Sequence, residues 1–204
     1  MSNGESTSAL QGEPVFLIGT SGRLPLRTIC ALELDRTELS EYEMAWRSLL
    51  GDRLNATKPQ LLPHPSRLVK LEPYSFMRRL TEALDNFPRL HVIHMPKQPA
   101  ERVEHEIFRW ACTLLGGRPY GNAVLHTGAD TTGYHLTPEA LCPTPDASPF
   151  GSPSGFELLG FPAKLAAYAA YQHRCYPNPS PRPFWLPSRM TWADPVFLTN
   201  NDTY

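Results

Sequence analysis

Apolar residues recur along this chain at two different periods, and the changes of period mark out the elements. Over 100–115 (AERVEHEIFRWACTLL), Val103, Ile107, Trp110, Leu114 and Leu115 fall at three- and four-residue steps. That spacing places them on one stripe of a 3.6-residue helix. Glu101, Arg102, Glu104, Arg109 and Thr113 mostly take the opposite, solvated face. Pro99 suits a first turn, where its missing N–H costs nothing. Gly116 and Gly117 can adopt the left-handed conformation that closes a last turn, and Arg118-Pro119 forbids continuation. Asn122 to His126 then reads as a short buried strand. A polar loop rich in glycine and threonine follows, carrying Asp130 and bracketed by His126 and His135. Strand ends in α/β proteins are where binding groups commonly project.

The same reading covers the first half. PVFLIGT (14–20) and RTICALEL (27–34) are strands with a Ser21-Gly22 turn between them, a hairpin pattern. Ser40 and Glu43 have capping-box spacing ahead of a helix with Met44, Ala45, Trp46, Leu49 and Leu50, stopped by Gly51-Asp52. Residues 55–65 form a proline-punctuated connection, and 67–71 reads as a strand. Pro73 opens a helix with Phe76, Met77, Leu80, Leu84 and Phe87 on one face, ended by Asn86 and Pro88. RLHVIHM (89–95) is a further strand. Alternating strands and helices predict an α/β or α+β fold, a mixed sheet flanked by about four helices in a single domain.

The second half changes character. Proline makes up 22 of 204 residues, about twice the average usage, and it recurs every few positions from 137 to 187. One helix survives there, PAKLAAYAAYQH (162–173), whose small residues allow close packing on a neighbour. YPNPSPRPFWLP (176–187) favours polyproline-like chain. MTWADPVFLT (190–199) is a last strand, with Pro195 pointing to an edge or a bulge. The expected organisation is a disordered tail over 1–13 and one globular domain over 14–204. Its 137–187 part is largely irregular and packed on the core.

Charge narrows the partners. Nineteen Lys and Arg against 20 Asp and Glu leave no basic excess, so nucleic acid is not expected as a partner. No apolar run approaches the roughly 20 residues that span a bilayer. MSNGESTSALQGE (1–13) lacks the basic and apolar regions of a signal peptide. Cys30, Cys112, Cys142 and Cys175 are scattered without C-x-x-C spacing. These features predict a soluble cytoplasmic protein with free thiols and no cofactor.

Candidate chemistry is sparse. His126, Asp130 and His135 offer two imidazoles and an orienting carboxylate, the parts of a general acid–base site. A surface loop with hydrogen-bonded histidines explains the same residues without catalysis. Cys112 lies in the last turns of its helix, where the dipole disfavours a thiolate. His91 and His94 take opposite faces of a strand, and with His105 they complete no familiar zinc spacing. His64-Pro65-Ser66 and His135-Leu136-Thr137 share the H-x-[Ser/Thr] form of two-histidine phosphoesterases, but prolines interrupt both and their flanking strands are poor. Walker, G-x-G-x-x-G, G-x-S-x-G and H-E-x-x-H patterns are absent. Phe184, Trp185, Trp192 and Phe197 form an aromatic, weakly charged group suited to a partner surface or to closing the protein's own core. Two functions follow as expectations. One is a non-catalytic interaction or accessory protein that docks on a protein partner or a second copy through its C-terminal half. The other is a hydrolase or group-transfer enzyme with a His-based site in the 126–135 loop.

Overall fold

A computed structural model describes residues 12–23, 26–51, 64–71, 73–86, 89–96, 107, 109–111, 113–116, 118, 121–127, 130–136, 141–143, 153–175 and 190–192. Strands β1 (Pro14–Arg23) and β2 (Leu26–Asp35) pair antiparallel from Pro14 opposite Asp35 to Arg23 opposite Leu26. The predicted hairpin forms, but Ser21 and Gly22 sit inside its ladder, opposite Thr28 and Arg27, instead of making the turn. Strand β3 (Arg89–Pro96) lies antiparallel to β2, and β4 (Gly121–Thr127) lies parallel to β1. Strands β5 (Asp130–Leu136) and β6 (Leu141–Pro143) extend the sheet antiparallel beyond β4. Strand β7 (Met190–Trp192) runs parallel to β3. The seven-stranded order is β6-β5-β4-β1-β2-β3-β7, so β1, β3, β4, β6 and β7 share one direction and β2 and β5 oppose it.

Helices cover both faces, and the pleat of β1 sorts the core between them. Val15 and Leu17 pack with Cys30 and Leu32 of β2 beneath α1 (Leu39–Leu50), α2 (Pro65–Leu71), α3 (Tyr74–Asp85) and α5 (Pro153–Cys175). Phe16 and Ile18 pack with Ile29 and Ala31 on the other face, under the helical residues 107, 109–111 and 113–115, here α4. Ile107, Trp110, Ala111 and Leu115 are buried while Arg109 and Thr113 are exposed, as the stripe requires. Gly116, at φ 60°, supplies the left-handed residue expected after the last turn. This mixed helix-and-sheet architecture agrees with the fold class read from the sequence.

Helix α5 lies at the centre of the first face. It extends well beyond the 162–173 predicted for it, and residues 158–167 are buried on every side. Apart from Lys164 this segment is apolar all round, as a helix in a core is. The approach to β1 is backbone on backbone: a Cβ added to Gly19 would stand 2.1 Å from the Lys164 amide nitrogen. Only glycine there, with Ala163, Ala166, Ala167 and Ala170 buried along α5, permits so short a separation. Pro162 sits inside the helix and leaves the Leu158 carbonyl without its usual amide partner. One residue on, the buried Tyr42 hydroxyl donates to the Leu159 carbonyl at 3.1 Å, tying α1 to this weak point.

Three local readings need correction. Residues 67–71 are helical, not a strand. His64 starts α2, its carbonyl accepting from the Arg67 and Leu68 amides, and Pro65 takes the first helical position. A short apolar run has no period long enough to separate the two structures. The capping box forms one turn earlier than Ser40–Glu43. The Asp35 carboxylate accepts from the Thr37 amide at 2.9 Å, and the Asp35 amide donates to Glu38 at 2.8 Å. Glu43 instead pairs with Arg47 at 2.8 Å. Finally, the loop between His126 and His135 is a hairpin, with both histidines inside strands.

Residues 1–11 of the expected tail lie outside the described residues. Glu13 does not hang free, since its carbonyl accepts from the Arg36 amide at 3.0 Å.

Candidate functional site

The hairpin separates the three residues singled out as an acid–base site. His126 is paired with Thr131, whereas His135 is paired with Asn122, four positions back along β4. At a rise of about 3.3 Å per residue, that is roughly 13 Å along the strand. Asp130 is paired with Thr127, on the alternate pleat from His126. Register alone therefore does not bring the three together. The aromatic group is only partly placed. Trp192 belongs to β7, at the register of Val92, on one of the two edge strands of the sheet among the described residues. Phe184, Trp185 and Phe197 lie outside the described residues, as do Cys112 and His105.

His126 nevertheless holds a position of interest. It is paired with Gly19, the residue that α5 crosses at Lys164, toward the carboxyl ends of the parallel strands. A second histidine lies at the same end: His94 of β3, whose Nδ1 is 2.8 Å from the Thr28 hydroxyl on β2. Burial lowers the His94 pKa, and nearby Arg174 and His173 lower it further. Thr28 is fully buried, so its hydroxyl meets no substrate in this conformation. The His64-Pro65-Ser66 motif also resolves into structure. His64 Nδ1 lies 2.7 Å from the Ser66 hydroxyl and accepts from the Ser66 amide at 3.2 Å, while its ring meets Tyr168 edge-on. Burial, then the charge of Lys164, lowers its pKa. This histidine caps a helix.

The most developed polar site sits at the opposite end of the sheet, among residues far apart in sequence. Glu33 on β2 is 7% exposed, on the face covered by α4. Its Oε1 accepts from Arg89 Nη1 at 2.9 Å and from Arg118 Nη2 at 2.8 Å. Its Oε2 faces the Nε2 of His91 at 3.5 Å, too long for a good hydrogen bond, and among the described residues that buried nitrogen has no hydrogen-bond partner. Arg118 also donates to the Leu115 and Leu114 carbonyls, closing the end of α4 onto the strand. Burial alone would push the Glu33 carboxyl up. The close His91 ring, the hydrogen bond from Arg118 and the charges of Arg118 and Arg89 outweigh it and hold the pKa at about 2. Beside this cluster opens a cavity of about 440 Å³, walled by Glu33, Asp35, Arg89 and Arg118 and by apolar residues including Leu34 and Leu115.

Among the described residues no three His, Cys, Asp or Glu side chains gather as metal ligands. Among the same residues no helix is long and apolar enough to cross a membrane. Comparison of the chain with protein-family models, with curated proteins and with solved structures gave no match. What the fold and site define is a mixed sheet with helices on both faces and an arginine-flanked buried carboxylate at one end.

Proposed function

We propose that this is a non-catalytic interaction or accessory protein, docking through its aromatic, proline-rich C-terminal half on a protein partner or on a second copy. The observation that supports this reading is the place of β7. It is three residues long, an edge strand among the described residues, and carries Trp192. Sheet edges are where another chain meets a fold most readily. The aromatic residues on either side of β7 in sequence, Trp185 and Phe197, supply the apolar anchors that interfaces use. Size-exclusion chromatography with light scattering checks self-association, and a pull-down checks a heterologous partner. The expected result is a mass above the monomer's, or a retained partner, that Trp185→Ala abolishes while the melting temperature holds. A clean monomer that captures nothing, and whose truncation after Pro177 simply unfolds it, sinks the docking idea.

The second reading, a hydrolase or group-transfer enzyme with a His-based site in 126–135, is favoured by one observation. His126 stands toward the carboxyl end of a parallel strand, where open α/β sheets place their ligands. If His126 carries function, His126→Ala melts within about 0.5 kcal/mol of wild type at pH 5.5 and pH 8. Activity on a substrate, once found, then drops about 10²- to 10⁴-fold. A structural His126 instead costs about 1–3 kcal/mol through unsatisfied neighbours. His135→Ala is the paired measurement; its loss of activity without loss of stability is required for a two-histidine site.

A further inference from the structure

We propose that the cavity beside Glu33 binds a small monocarboxylate with an apolar body, its carboxylate taken by the outer edge of Arg89. The proposal is independent of the docking reading, since it uses neither β7 nor the C-terminal aromatics. Its volume of about 440 Å³ lies within the roughly 300–1,000 Å³ usual for small-molecule sites.

The hydrogen-bonding capacity left in the wall decides the ligand's sign. Glu33 Oε1 already accepts from both arginines. Arg89 spends only Nη1 on that contact, and its side chain is 61% exposed. Among the described residues its Nε and Nη2 donate to nothing. These two nitrogens form one side of the planar guanidinium, a fork that fits two carboxylate oxygens at once. Arg118 backs this fork with a second positive charge but is itself committed, through Nε and Nη2, to Glu33 and the two carbonyls of α4. Unspent donors ask for an acceptor, so the head of the ligand is an anion.

The carboxylates of the wall limit how much charge that anion carries. Glu33 and Asp35 balance Arg89 and Arg118, so the lining is neutral overall. A dianion such as phosphate would gain one fork and face two carboxylates. A monocarboxylate gains the fork at half that repulsion. A cationic head would find only single oxygens, Glu33 Oε2 and Asp35 Oδ2, because Glu33 Oε1 is shared by two guanidinium groups and Asp35 Oδ1 is taken by Thr37; neither matches the paired contact of the fork. The remaining wall is apolar, with Pro14, Leu34, Leu114 and Leu115 lining the space beside the charged groups. A short branched or aromatic acid places its body there and its carboxylate at the rim.

Titration calorimetry of the full chain with 4-methylpentanoate tests this, with 3-methylbutylamine and inorganic phosphate as the two counter-probes. The acid is expected to bind saturably with a Kd of about 0.1–1 mM, the range a single fork and a small apolar body support. The amine and phosphate are expected to give no saturable heat at the same concentrations. Arg89→Gln removes the charge and is expected to weaken the acid at least about tenfold, the loss of one charge-assisted contact. Arg89→Lys keeps the charge without the fork and decides the matter should Arg89→Gln melt early; an affinity equal to wild type in the lysine variant overturns the fork. Failure of the acid to bind wild type overturns the proposal outright, as does phosphate or the amine binding as tightly as the acid. None of these outcomes bears on whether the C-terminal half docks.

Discussion

Trp110→Ala is expected to destabilise the protein by about 3–5 kcal/mol, the cost of emptying the site of a large buried aromatic. Trp110 is 7% exposed and sits among Phe16, Ile18, Ile29, Ile93 and Met95, on the face of the sheet covered by α4. Its removal withdraws a large apolar contact from one layer while leaving α1, α3 and α5 on the other face untouched. Collapse of α4 into the space is limited at its far end, because Arg118 anchors it to Glu33. A reversible urea titration measures the loss. A change below about 1 kcal/mol would mean that Trp110 is not a core residue and that the helix stripe is misassigned.

Glu33→Gln is expected to cost about 2–3 kcal/mol at neutral pH, and that cost is expected to disappear in acid. The folded-state pKa of about 2 lies below the ordinary 4.5. A carboxyl held down in this way stabilises the fold fully above its unfolded pKa and progressively loses that contribution as pH falls toward 2. The full shift corresponds to about 3.4 kcal/mol at 1.36 kcal/mol per unit. Solvent screens part of it, since Arg89 is 61% exposed and Arg118 24%. Gln keeps the shape and removes the charge, so two guanidinium groups face each other without their common anion. Urea midpoints of wild type and variant at pH 7, 4 and 2.5 provide the comparison. Curves that stay equally far apart at all three values would show that an ionised Glu33 does not hold the site together.

The two predictions probe different kinds of contact, and they were differently legible. The Trp110 stripe is written in the spacing of five apolar residues, and a period of 3.6 survives whatever the helix packs on. The β1–β2 hairpin was equally readable, because a turn separates two runs of strand-forming residues and their pairing is local. The mixed helix-and-sheet architecture follows from the same alternation. Where the pattern is short, or where a neighbour overrides it, reading fails. His64 and Pro65 turn 65–71 into a helix that the five residues 67–71 do not announce. The polar stretch from Thr127 to Tyr134 reads as a loop, yet β4 on β1 gives it a partner, and it continues the sheet as a hairpin.

The site at Glu33 depended wholly on tertiary structure. Nothing in the spacing of Glu33, Arg89, His91 and Arg118 links them, since 56 residues separate Glu33 from Arg89 and 85 from Arg118. Strand order brings Arg89 opposite Glu33, and the glycine stop after α4 turns Arg118 back onto the same carboxylate. The converse holds for His126 and His135, near in sequence and parted by the hairpin register. Local periodicity determined which segments became α4, β1, β2 and β3, because backbone geometry fixes the repeat of each element. Which polar groups meet was decided only by how those elements order in the sheet, because a strand's neighbours are chosen by long-range pairing and burial that no short stretch of chain contains.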